Sequence, residues 1–156
     1  MIEPREITYW NVDLLLGLRV RDDQTDLVAS NSVTIAQAHY IPNSWIRGLW
    51  AGGDAVGLIA MIDIHPDHPE ADEYTPGNTA YLWRLMIAAP HQGRGYGQQS
   101  VELALEQARR WRRPRLSLTV AQGDGNALAF YRRFGLEPTG QVDDDEIVLI
   151  GPVPMA

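Results

Sequence analysis

The chain has 156 residues and a mass of 17.4 kDa, with 45% hydrophobic residues, a formal charge of −7 and no cysteine. That length closes one ordinary core, so a single domain over residues 1–156 is expected, and the missing thiols exclude disulfides, thiolate metal sites and a cysteine nucleophile. The acidic balance points away from nucleic acid and anionic membranes as partners; the longest apolar run, Ala55 to Ile62, is too short for a bilayer and no leader pattern opens the chain, so a cytoplasmic location is expected.

In chain order, Ile7 to Trp10 reads as a short first strand. Asn11 then caps a helix to about Leu18, with Leu14, Leu15 and Leu18 on its inner side. Arg21 to Asp26 is a polar loop, and Ser30-Asn31-Ser32 caps a second short helix through Ala38, ended by Pro42-Asn43. Trp45 to Ala51 and Ala55 to Ile64 read as a hairpin turning at Gly52-Gly53-Asp54. His65 to Asn78 contains Pro66, Pro69 and Pro76 and the acids Asp67, Glu70, Asp72 and Glu73, with Asp63 just before; this is a long exposed loop, and His65 and His68 read as exposed loop histidines.

The next stretch changes character twice. Tyr81 to Ile87 is an apolar run expected as a strand buried on both faces. Pro90 and the turn Gln92-Gly93-Arg94-Gly95-Tyr96-Gly97 follow, and then Val101, Ala104, Leu105, Ala108 and Trp111 recur at helical spacing. A strand, a glycine turn and a helix make an anion-binding arrangement, because glycine lets backbone approach a ligand and the first N–H groups of a helix have no intrahelical partner. A dinucleotide fingerprint is absent, since Gln98 stands where the third glycine belongs, and no G-K-[ST] closes a triphosphate loop. Taken alone, the turn is equally a plain link between strand and helix.

Beyond it, Arg112-Arg113-Pro114 stops the helix and Leu116 to Val120 alternates as a strand. Gly123-Asp124-Gly125-Asn126 turns into a short helix, Ala127 to Phe134, stopped by Gly135. Glu137 to Val142 and Glu146 to Ile150 are extended runs joined by Asp143-Asp144-Asp145, and Gly151 to Ala156 reads as a loose tail. Hairpins at both ends around a strand-helix-strand crossover predict an α/β fold with a mixed, mostly antiparallel central sheet flanked by helices.

Two motifs carry a resemblance. Gln92, Gly95 and Gly97 match [RQ]-x-x-G-x-[GA], and Asn126, Ala129, Tyr131, Gly135 and Leu136 match a compressed second signature one strand further on. On these the chain is identified as a member of the GNAT superfamily of acetyl-CoA-dependent N-acetyltransferases. W-R-L-M-I, Q-G-R-G-Y-G and Y-R-R-F-G-L make it most similar to the bacterial spermine/spermidine acetyltransferase branch.

The resemblance implies a fourth and a fifth strand that splay to admit the pantetheine arm of acetyl-CoA. Backbone groups of Leu85, Met86 and Ile87 would pair with that arm and the thioester, and N–H groups from Gln92, Gly93, Arg94, Gly95, Tyr96, Gly97 and Gln98 would hold the pyrophosphate. Asn126 would bind the pantetheine. Arg133 is a candidate for a CoA phosphate or, as plainly, a solvent-facing arginine. Tyr131 takes the position of the family's general acid, although with Ala127, Phe130 and Phe134 it also has the spacing of a core residue.

The implied acceptor is a small primary amine, in that branch a polyamine such as spermidine or spermine, with CoA as product. An amino acid, an antibiotic or a protein N-terminus remains open as acceptor, as do a non-catalytic acyl-CoA sensor and a homodimer. Asp63, Asp72 and Glu73 are candidates to hold distal ammonium groups, or belong to a solvated acidic loop. The base is not legible. Arg84 stands near the position where some family members carry glutamate, leaving the loop acids, His65 or water, and Arg84 in its apolar strand needs a partner. No metal is expected, since His65 and His68 have no third or fourth ligand at metal-site spacing.

Overall fold

The structure, a computed structural model, describes residues 1–155. Seven strands form one sheet in the order β1-β2-β3-β4-β5-β7-β6. They are β1 (Ile2–Arg5), β2 (Ser44–Ala51), β3 (Asp54–Ile64), β4 (Thr79–Ile87), β5 (Arg115–Ala121), β6 (Glu137–Asp143) and β7 (Glu146–Pro152). The helices are α1 (Val12–Leu16), α2 (Asn31–Ala38), α3 (Tyr96–Arg110) and α4 (Gly125–Arg132), with short 3-10 turns at Asp22–Gln24 and Ala89–His91. By contact the chain forms two compact units, Met1–Met61 with Trp83–Ala104 and Ile62–Leu82 with Leu105–Ala156, so β3, β4 and α3 each begin in one and end in the other.

In the first unit the core gathers Leu15, Trp50, Leu58, Met86 and Ala88, with Ile7, Leu18, Val20, Val28, Ile46 and Ala55 packed around them. Ser30 caps α2 as its sequence suggests, its hydroxyl accepting the Val33 N–H. The first strand lies earlier than expected. β1 is Ile2–Arg5, antiparallel to β2, and its Pro4 is tolerated because β1 is an edge strand with no ladder on its outer side. The expected strand at Ile7 to Trp10 is instead a turn, drawn in by Asn11, whose Oδ1 accepts the Thr8 N–H at 2.8 Å and whose Nδ2 donates to the Glu6 carbonyl at 2.9 Å. Asn11 therefore precedes α1 without capping it by its side chain, and that helix is only five residues long. Leu15 is buried and Leu18 half-buried, but Leu14, expected inside, is 57% exposed.

In the second unit β4 and β5 run parallel, paired at Thr79↔Arg115, Ala80↔Leu116 and Tyr81↔Ser117. Beyond these pairs β4 continues to Ile87 and β5 to Ala121. β7 pairs antiparallel with β5 along seven residues and places β6 at the far edge. The β6–β7 turn has Asp144 at φ 47° and Asp145 at φ 65°, the two left-handed residues of a tight primed hairpin turn. The chain end is less loose than expected: Gly151 and Pro152 finish β7, the Val153 N–H donates to the Pro114 carbonyl at 2.8 Å, and Arg109 donates to the Pro154 carbonyl at 3.1 Å. Ala156 lies outside the described residues. Among those residues, no helix is long and apolar enough to cross a membrane.

Candidate active site

β4 delivers the first group of candidate residues, all in the first unit. Of these, Met86 is buried and Leu85 and Ile87 are half-buried, so the end of the strand is not closed on both faces as the apolar run suggested. Its backbone lies unusually near β3: a β-carbon on Gly57 would sit 2.3 Å from the Met86 carbonyl oxygen. The Ala88 N–H continues the contact, donating to the Val56 carbonyl at 2.8 Å. Arg84 has the partner it needs, donating to the Thr34 hydroxyl at 3.1 Å with its guanidinium 4.6 Å from the Trp83 ring centre.

The glycine turn follows. Gly93 and Gly95 have φ of 79° and 82°, and nothing stands within 4 Å of where a β-carbon would be on either. These glycines therefore serve backbone conformation and leave open space above the turn. The earliest α3 bond across this start is donated by the Gln99 N–H to the Gly95 carbonyl at 3.2 Å, so the N–H groups of Tyr96, Gly97 and Gln98 precede it. No acid lies in the first turn of α3, and Arg94 is exposed beside it. The concentration of donors and positive potential suits a pyrophosphate. The side chain of Gln92 is otherwise engaged, its amide donating to Gln24 Oε1 at 2.8 Å and to the Ile87 carbonyl at 2.9 Å. That of Gln98 reaches Glu102 at 3.4 Å.

α4, in the second unit, carries Asn126, Tyr131 and Arg133 at or next to it. Asp124 caps the helix, accepting the Ala127 N–H at 3.0 Å, and Asn126 is exposed in the first turn. The Tyr131 ring is half-buried and meets Phe130 edge to face, with centres 5.0 Å apart. Arg133 is exposed, its guanidinium lying over Phe130 at 5.2 Å. Burial of the Tyr131 hydroxyl, and secondarily the charge of Asp124, pushes its pKa up to about 12. The phenol therefore stays protonated at every physiological pH and can donate a hydrogen bond.

The acidic loop, also in the second unit, is built rather than slack. The Asp63 carboxylate is gripped by Arg113 at 2.6 and 3.3 Å, with His65 Nε2 at 3.2 Å. Arg113 also donates to Asn78 Oδ1 at 3.0 Å and lies 3.2 Å from His65 Nδ1. Asp72 is exposed, and its Oδ1 accepts the N–H groups of Tyr74 and Thr75 at 2.8 and 2.7 Å, which folds the loop tip. The Glu73 carboxylate takes the Tyr74 hydroxyl hydrogen bond, which with its charge raises that phenol above its ordinary pKa. His68, expected exposed, is buried, its Nδ1 accepting the Glu70 N–H at 3.0 Å. The whole loop precedes β4 in the chain.

One segment escaped the sequence reading. The connection between α1 and α2 is tied to the end of β4, by the Ala89 N–H donating to the Arg19 carbonyl at 2.8 Å and by Gln92 donating to Gln24. It brings Asp22 and Asp23, both exposed, to the glycine-turn end of the strand. In sequence the only signal was a polar loop with acids, indistinguishable from a solvated one.

Comparison with known proteins identifies the family and the fold. The family model described as "Acetyltransferase (GNAT) family" matches residues 19–136. The chain is 27% identical over 143 residues to the spermine/spermidine N(1)-acetyltransferase of Bacillus subtilis, covering 91% of each. It is similar in fold to the spermidine N-acetyltransferase of Vibrio cholerae, solved with CoA and spermine, at a TM-score of 0.74 and 16% identity, covering 97% of this chain and 95% of that one. The PaiA N-acetyltransferase of Thermoplasma acidophilum, solved with coenzyme A, gives 0.68 at 13% identity, covering 97% and 99%. The family match spans three quarters of the chain and takes in both the glycine turn and α4, and the protein accordingly belongs to the acetyltransferase (GNAT) family, as an N-acetyltransferase whose cosubstrate is acetyl-CoA.

Proposed function

We propose that the acceptor is a polyamine of the spermidine or spermine class, acetylated directly on a primary amine. The carrying observation is the kinship with the Bacillus subtilis spermine/spermidine enzyme along 91% of both chains. The net charge of −7 supports it, because an acidic surface attracts a polycation.

Acetyl-CoA supplies an activated thioester. In this reading the Leu85, Met86 and Ile87 backbone aligns its arm, the N–H groups of residues 93–98 hold the pyrophosphate while that of Gln92 turns to the Ala89 carbonyl at 3.4 Å, and Asn126 and Arg133 add polar contacts. An alkylammonium has a pKa near that of lysine, about 10, so the amine must lose a proton before it attacks. Tyr131 meets the leaving sulfur. A thiol ordinarily titrates at about 8.5, well below a phenol raised to about 12. Complete transfer of the phenolic proton to the thiolate is therefore uphill, and Tyr131 works as a hydrogen-bond donor to sulfur, with the acidic ammonium of the attacking amine as the better proton source.

Two sets of acids are available to the distal ammonium groups. Asp72 and Glu73 are exposed on the loop before β4, where Asp63 serves as the anchor; Asp22 and Asp23, the latter in an exposed ion pair with Arg21 at 3.3 Å, lie on the segment tied to the glycine-turn end. The test measures kcat/KM for spermine and for a monoamine in Asp72→Asn/Glu73→Gln and Asp22→Asn/Asp23→Asn proteins across ionic strength. Selective loss for spermine that shrinks with salt identifies the working set. Equal effects on both amines, or no spermine turnover in the parent enzyme, would remove the polyamine assignment.

A further inference from the structure

The side chain of Gln92, the first residue of the glycine-turn motif, has two N–H hydrogens, and both point inward. One goes to Gln24 Oε1 at 2.8 Å, the other to the Ile87 carbonyl at 2.9 Å. Gln24 Oε1 also accepts the Arg21 N–H at 3.2 Å. The directions are fixed by the ends of this chain, since a backbone carbonyl can only accept and a backbone N–H can only donate. Gln92 Nε2 thus has no hydrogen left for a phosphate, and its remaining polar atom, Oε1, is an acceptor that an anion repels.

We infer that Gln92 acts on acetyl-CoA without touching it, and that Gln24, outside the recognised motifs, is its working partner: a positioning residue for cofactor binding. This rests on the acetyl-CoA assignment and is independent of which amine is acetylated. Through the two bonds, Gln92 pins the start of the turn both to the last residue of β4 and to the 3-10 turn at Asp22–Gln24. The Arg19 carbonyl, taking the Ala89 N–H at 2.8 Å, closes the same junction from the other side. The turn's N–H groups inherit their direction from where residue 92 is held. Gln24 is needed only as an acceptor, so a carboxylate oxygen at that position suffices.

CoA binding by calorimetry tests this on the parent protein, Gln92→Ala, Gln24→Ala, the double variant and Gln24→Glu, with a melting curve for each. Losing these neutral hydrogen bonds, two in Gln92→Ala and, with that of the Arg21 N–H, two in Gln24→Ala, should weaken CoA about three- to tenfold in either single variant. The double variant should be no weaker than the worse single, because both break one chain of bonds. Gln24→Glu should recover affinity to within about twofold of the parent even if Gln24→Ala lowers the melting temperature. Parent-like CoA affinity in Gln24→Ala beside a loss in Gln92→Ala, additive losses, or no recovery in Gln24→Glu would each overturn the inference in favour of direct phosphate contact or general destabilisation. Failure of the parent to bind CoA would strike the acetyl-CoA assignment and this inference together, whereas failure on spermine alone would leave both standing.

Discussion

Arg113 holds Asp63 in a two-pronged ion pair, Nε to Oδ1 at 2.6 Å and Nη2 to Oδ2 at 3.3 Å, with the two side chains only 15% and 13% exposed. The pair ties the end of β3 to the turn after α3, and through Asn78 it holds the start of β4 as well. Such a pair is costly to break from one side, because the abandoned charge stays partly buried. Arg113→Ala should lose about 2–4 kcal/mol. Asp63→Asn, which keeps a hydrogen-bonding shape, should lose only about 1–2 kcal/mol. Denaturant melts at two salt concentrations check this, with little salt dependence expected for a shielded pair. A larger change in spermine selectivity than in stability for Asp63→Asn would return Asp63 to the substrate.

Gly57 is where β3 makes room for β4. A methyl there would meet the Met86 carbonyl oxygen at 2.3 Å and the Ile87 side chain at 3.1 Å, so the strand carrying Leu85 to Ile87 must move. Gly57→Ala should lose about 1–3 kcal/mol and weaken CoA as well. Gly53→Ala, with nothing within 4 Å, is the matched control and should leave both unchanged.

At Gly95 the constraint is φ of 82° rather than space. Gly95→Val should lose about 1–2 kcal/mol through left-handed strain and bind CoA poorly. Gly95→Asn, from a residue type that accepts this conformation, should keep most of both. Equal loss in the two variants, read by melting and calorimetry, would show instead that the ligand needs the space above the turn.

Tyr131→Phe keeps the ring against Phe130 and removes the hydroxyl. A hydrogen bond to a developing thiolate predicts a kcat lower by about 10- to 100-fold, with CoA affinity unchanged. The raised pKa adds a pH signature. Below pH 10 the phenol is protonated in both the folded and unfolded chain, and its contribution to stability is fully present. Between about pH 10 and 12 only the folded form retains the proton, so that contribution is lost as the pH rises through the folded value. Alkaline melts should therefore fall less steeply in Tyr131→Phe than in the parent. The kcat profile of the parent should show no limb from Tyr131 ionisation below about pH 11.

Local rules carried much of this protein. The hairpin at Gly52-Gly53, the cap at Ser30, the helical face of Val101, Ala104, Leu105 and Ala108, and the glycine turn were all legible, because turn chemistry, capping and periodicity act within a few residues. So was family membership, which rests on two short motifs in order. What failed locally was the start. Tyr9 and Trp10 have strand-forming side chains yet are 84% and 87% exposed in a turn, while Pro4, which argues against a strand, is accommodated at a sheet edge.

The tertiary structure decided which polar groups are free to act. Asp63, Gln92 and His68 are chemically competent side chains in suggestive places, and each proves to be bound by a partner far along the chain or folded into its own loop. Sequence determined the backbone grammar of strand, turn and helix, since that depends on neighbours. It could not assign Asp63 to Arg113 or Gln92 to Gln24, across 50 and 68 residues, because hydrogen-bond partners are chosen by proximity in the folded chain.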